Sequence, residues 1–197
     1  MRTMKTLCAI AVLLLVLRSI VYADEEFSNR PVVHSSQYGA VYAKSVPDEF
    51  YGQKGKTRVY SVGRENDTLI CEYDWFADEI YLGGAGEGTL IRLGPWHRSR
   101  EPQDNHLAIG IYRNGKMIKK YSTGEIKKMG SGVSESVSHY RVFGERMGFR
   151  WLKGNAYVYE VKGVAGKVFT FDLDTGDIIE KRTEPSAGGD GKPAPQP

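Results

Sequence analysis

Cysteine is nearly missing from this 197-residue chain, which has only Cys8 and Cys71. Cys8 falls inside an apolar leader, so Cys71 is the single thiol left to the folded part and no internal disulfide can form there. A small buried core residue is the role expected of Cys71, with a bridge to a second chain as the alternative. Leu7 stands where a lipid-modified cysteine needs a small residue, which argues against a lipoprotein. An excess of either charge is lacking too. Lys and Arg number 27 against 24 Asp and Glu, and Arg2, Lys5 and Arg18 belong to the leader, which has no acids. The remainder is formally neutral and exerts no general pull on phosphate backbones or anionic lipid, so nucleic acid is not an expected partner.

Long hydrophobic runs are absent as well. The longest, Leu7 to Leu17, is about half of the roughly 20 residues that a membrane-spanning helix needs. Arg2 and Lys5 precede it and Val21-Tyr22-Ala23 follows it. These are the three parts of a secretory signal cut after Ala23. The expectation is an exported protein, secreted or periplasmic, with residues 1–23 removed and no membrane span left. Arg18, close to the cut, keeps an uncleaved anchor as the alternative. Residues 24–36 are polar and aperiodic and read as a tether. Residues 184–197 are Gly/Pro-rich without large apolar side chains and read as a disordered tail.

Helix signals are scarce. The best candidate is Thr123 to Met129, with Ser122 or Thr123 as N-cap, Lys127 and Lys128 near its end and Gly130 as its stop. What fills residues 37–183 instead is alternation of strand type. In Leu69 to Trp75 one face carries Leu69, Cys71, Tyr73 and Trp75, and the other Ile70, Glu72 and Asp74. Phe169, Phe171 and Leu173 share a face, as do Tyr157, Tyr159 and Val161. Leu107 to Tyr112 is apolar on both faces, the mark of a central strand covered on both sides. Turn residues separate these runs: Asn114-Gly115 suits a two-residue hairpin with positive φ at both positions, and Gly176 suits a left-handed corner after Asp174-Thr175. The fold class that follows is mainly β, an antiparallel meander closing as a propeller-like sheet, a sandwich or a small barrel, with at most one short helix.

Phe171-Asp172-Leu173-Asp174-Thr175-Gly176-Asp177-Ile178-Ile179 resembles the outer hairpins of β-propeller blades in secreted bacterial proteins, and Tyr112-Arg113-Asn114-Gly115-Lys116 is similar in kind. A closed propeller needs at least four blades of roughly 40 residues, and residues 37–183 would supply three and a fraction. The resemblance implies blade-like meanders and assigns no functional residue.

Catalytic and metal-binding spacing is the last thing missing. Gly83-Gly84-Ala85-Gly86-Glu87-Gly88 follows a strand-like piece as a phosphate loop would, but Thr89 to Leu93 reads as another strand. Without a helix N-terminus there is no ready set of free N–H groups for phosphate, so a hairpin loop is expected. The long stretch Gly94 to His106 gathers His97, Glu101, Asp104 and His106. Its spacing matches no ligand pattern, and Arg98 and Arg100 would repel a cation, so neither metal nor cofactor is expected. His139 stands near Ser134, Ser136 and Ser138 without a nucleophile elbow, which favours a structural histidine. His34, in the tether, has no evident role. Long loops on rigid sheets commonly bind ligands, and aromatics combine apolar area with a polar handle. The expectation is therefore a non-catalytic binding or interaction protein using Phe50, Tyr51, Trp96 and His97 toward an unknown ligand or protein. The alternative is a hydrolase built on His139 or on His97, Asp104 and His106. Asn66-Asp67-Thr68 fits the glycan-acceptor pattern, meaningful only in a eukaryotic secretory host.

Overall fold

A computed structural model of the chain describes residues 28–83, 88–94, 97–98, 101–136 and 139–183. The segments read as signal and tail lie outside the described residues, as does Trp96. Three four-stranded antiparallel sheets and one three-stranded sheet account for the strands. The first sheet is β1 (Val32–Ser35), β2 (Val41–Pro47), β3 (Gly55–Ser61) and β4 (Thr68–Tyr73). The second is β5 (Ile80–Leu82), β6 (Thr89–Leu93), β8 (Leu107–Arg113) and β9 (Lys116–Ser122). The third is β12 (Phe143–Trp151), β13 (Tyr157–Gly163), β14 (Lys167–Asp172) and β15 (Ile178–Thr183). A small sheet joins β10 (Ser134–Glu135), β11 (His139–Arg141) and β7 (His97–Arg98). The fold is mainly β and antiparallel, and among the described residues no sheet closes into a barrel. Both propeller-like hairpins, β8–β9 and β14–β15, are the last of their sheets.

The second sheet lies between the other two. Strand alternation sends neighbouring residues of β6 and β8 to opposite sides, and both sides are apolar. Leu90 and Tyr112 join Val41, Ala43, Val59 and Tyr73 of the first sheet in one core. Ile91, Ile109 and Ile111 join Tyr159, Val161, Phe169 and Phe171 of the third sheet in another. The two-faced apolar pattern of Leu107 to Tyr112 therefore reflects cover on both sides. Asn114 (φ 47°) and Gly115 (φ 80°) form the tight β8–β9 turn, and Gly176 (φ 75°) turns left-handed between β14 and β15. The one α-helix among the described residues, α1 (Thr123–Lys128), starts at the N-cap Ser122, whose side chain and Glu125 form a reciprocal capping box.

Two readings need correction. Residues 24–36, expected as a tether, contain β1, which pairs with β2 from Val32↔Ser45 to Ser35↔Tyr42; its four residues, Val-Val-His-Ser, are too few to show an apolar–polar alternation in the sequence. Leu69 does not share the inner face with Cys71 and Tyr73. Tyr60 pairs with Leu69 and Val59 with Cys71, leaving Ile70 as an extra residue on β4. Such a bulge flips the alternation beyond it, so Leu69 is 50% exposed while Ile70 and Cys71 rest against the first core. Cys71 is a free, half-buried thiol rather than a fully buried one.

Candidate functional site

Leu93, at the end of β6, pairs with Ile109 near the start of β8, and the longest connections gather at that end of the sheets. Residues 48–54 join β2 to β3 and carry Phe50 and Tyr51. The Asn29 amide donates to the carbonyl oxygens of Glu49 (3.3 Å) and Gly52 (2.9 Å), and the Asn29 N–H donates to Phe50 O at 2.7 Å. From below, the buried Arg92 donates to Gln53 Oε1 at 2.9 Å and to Phe76 O at 3.2 Å, with its guanidinium 4.4 Å from the Trp75 ring. The loop backbone is thus tied down while Phe50 stands 76% exposed. Beside it, the Arg98 guanidinium lies 4.4 Å over the Tyr51 ring, which brings β7 to this loop. Of the residues singled out from sequence, Phe50, Tyr51 and the strand bearing His97 therefore come together.

His97 itself turns inward. It is 7% exposed and its Nε2 lies 3.0 Å from Leu107 O. The carbonyl cannot donate, so this nitrogen carries the proton. Its ring sits 4.2 Å from that of His106 and 5.3 Å from that of Tyr140. The Tyr140 hydroxyl accepts from the Gln103 N–H at 3.0 Å and hydrogen-bonds His106 Nδ1. Burial lowers both imidazoles below 6.5, the bond to Leu107 acting the other way on His97. Both are therefore neutral at pH 7. Gly94 lies so close to this site that a Cβ on it would come within 1.8 Å of Leu107 O.

The alternative grouping comes together only in part. Asp104 reaches Lys127 of α1 at 3.1 Å rather than a histidine. His139 pairs with Arg98 while Tyr140 pairs with His97, so alternation sends His139 to the other face. A cavity of about 80 Å³ is lined by His97, Tyr140, Thr123, Arg141, Asp78 and Glu79, but Glu79 is held by Arg146 at 3.3 Å. Among the described residues no carboxylate hydrogen-bonds the His97 or His106 ring, so the orienting bond of a nucleophile–base pair is missing. No cluster of three or more His, Cys, Asp or Glu suited to a metal occurs among the described residues.

A second aromatic row runs from the surface at Trp151 into the core at Tyr159. Trp151, 67% exposed, packs tilted against Tyr157 with the ring centroids 4.6 Å apart. Tyr157 continues to Phe149 at 5.8 Å, Phe149 to Tyr159 at 5.1 Å, and Tyr159 to Tyr81 at 5.8 Å. Arg146 closes the row 5.3 Å over Tyr81. The row begins at the opposite end of the sheets, where Leu173 bonds both Tyr157 O and Arg113. Its sequence signal was an aromatic on each side of the Gly154-Asn155 turn, Trp151 pairing with Tyr157.

No protein-family model matches the chain, and no solved structure matches it. Among curated proteins, Protein sevenless of Drosophila melanogaster is 28% identical over 123 residues, a stretch that is 60% of this chain. The chain spans only 4% of that protein, and neither family membership nor activity follows from so small a share. No helix among the described residues is long and apolar enough to cross a membrane.

Proposed function

We propose that the protein is an exported, non-catalytic binding protein that holds a ligand with a flat apolar face, such as a saccharide ring, against aromatic side chains. The observation that carries this reading is that Phe50 is 76% exposed on a loop whose backbone is tied by Asn29. An exposed aromatic normally gains entropy by moving; one on anchored backbone loses less on binding. Trp151 has the same character, exposed but packed against Tyr157, and aromatic faces suit the C–H faces of sugars. Export rests on the leader of residues 1–23, and a neutral remainder disfavours nucleic acid. The hydrolase reading has less support, since neither His97 nor His106 is oriented by a carboxylate.

The test is a glycan array and immobilised-ligand capture with the processed chain. A hit should weaken at least about tenfold on Phe50→Ala, Trp96→Ala or Trp151→Ala, as expected when an aromatic anchor worth over ~1.4 kcal/mol is removed. Uniform silence, or binding indifferent to all three changes, would argue against the reading.

A further inference from the structure

His97 and His106 bracket one loop, on β7 and just before β8, and both rings meet Tyr140 of β11. We propose that these three side chains form a proton-operated clip: with both imidazoles neutral it ties residues 101–107 to β11, and proton uptake releases them. The proposal stands independently of the binding reading.

The hydrogen bonds leave little room for a proton. In the closed clip Tyr140 Oη accepts the Gln103 N–H at 3.0 Å and donates to His106 Nδ1, the tautomer that the clip requires, in which that nitrogen is bare. Protonating it sets donor against donor, and the hydroxyl must turn to Gln103 O, 3.4 Å away, at the long limit of a hydrogen bond. His97 already donates from Nε2 to Leu107 O, so an added proton goes to Nδ1 and places a cation beside a ring 4.2 Å away. Charging both rings would bring like charges into contact. Arg92 of β6 adds repulsion; Arg141 also lines the cavity but has a partner of its own. Asp78 and Glu79 line the cavity with the opposite sign, but Glu79 is engaged by Arg146. On the α1 side, Lys127 and Asp104 neutralise each other. The closed arrangement therefore binds fewer protons than the open one, and linkage makes acid favour opening. Both rings lie below 6.5 when folded, so the clip is fully closed above pH 6.5 and loosens as pH falls below it.

Amide hydrogen exchange on the full chain tests this. Between pH 7.5 and 5.5 the protection factors of Gln103 and His106 should fall by up to about tenfold for each imidazole, since the lower limit lies one unit below 6.5, while Ile109 and Ile111 hold theirs. The double variant His97→Gln/His106→Asn keeps a donor toward Leu107 O and an acceptor toward Tyr140 but cannot be protonated, and its protection should be flat across that range. Protection that is unchanged in the wild type, or that falls equally in the double variant, would overturn the clip. If that variant does not fold, proton NMR of the wild-type imidazoles decides. Depressed, mutually dependent titrations support the clip, and two independent titrations near 6.5 refute it.

Discussion

The second and third sheets share a four-stranded antiparallel meander, yet they treat their two faces differently. In the second, β6 is buried along its whole length and feeds two cores. In the third, only the face bearing Tyr159, Val161, Phe169 and Phe171 meets another sheet. On its opposite face Glu160 Oε1 accepts from Arg150 at 2.7 Å, Arg182 at 2.7 Å and Thr170 at 2.8 Å. The first sheet is finished in the same way, with Lys56 and Arg58 both bonded to Glu72 on its outer side. Alternation therefore has two outcomes here. The inner strands of a sheet flanked on both sides, β6 and β8, are largely apolar on both faces, and a sheet flanked on one side ends in paired charges.

The largest effect should come from the doubly covered sheet. Ile111→Ala, at a fully buried position, is expected to cost about 2–5 kcal/mol in equilibrium denaturation; a loss under about 1 kcal/mol would mean the middle sheet is not the shared core. Next comes the outer face of the third sheet. Burial by itself would raise the Glu160 carboxyl and is the strongest single influence, but hydrogen bonds from Arg182, Arg150 and Thr170 together outweigh it and bring it from 4.5 down to about 2. Glu160→Gln should cost about 1–3 kcal/mol, because a neutral amide replaces the charged acceptor that the two arginines share. The wild type should hold this contribution above pH 4.5 and lose it as pH falls toward 2. Urea midpoints measured across that window should converge for the two proteins at the acid end; a constant gap would place the effect in packing instead. The smallest effect belongs to the first sheet. Its outer ion pairs are solvent-screened, so Lys56→Ala should leave the thermal midpoint within measurement error, and a clear drop would mean that this face is not an ordinary solvated one.

The legible parts of the fold were those encoded by neighbours in the chain. Asn114-Gly115 announced its turn, Ser122, one of two N-cap candidates, its helix start, and Leu107 to Tyr112 its doubly covered strand. Leu69 was misplaced because a bulge depends on which residue of β3 it faces, and alternation within β4 alone cannot show a slip. The site was less legible for the same reason. Phe50 could be read from its turn-like surroundings, and His97 and His106 could be grouped because one stretch carries both, but Tyr140 could not be added, since it reaches them from β11 and β7 has only two residues. Trp151 was visible as an aromatic, whereas its ring partners required the pairing of β12 with β13.

The narrow approach at Gly94 has a consequence for the clip. The carbonyl oxygen that occupies the space a side chain would need there is the one that fixes the His97 ring. An alanine at position 94 would have to displace that oxygen, so a change of one methyl group on the way out of β6 would be felt as a loosened imidazole three residues later, with no titrating group altered.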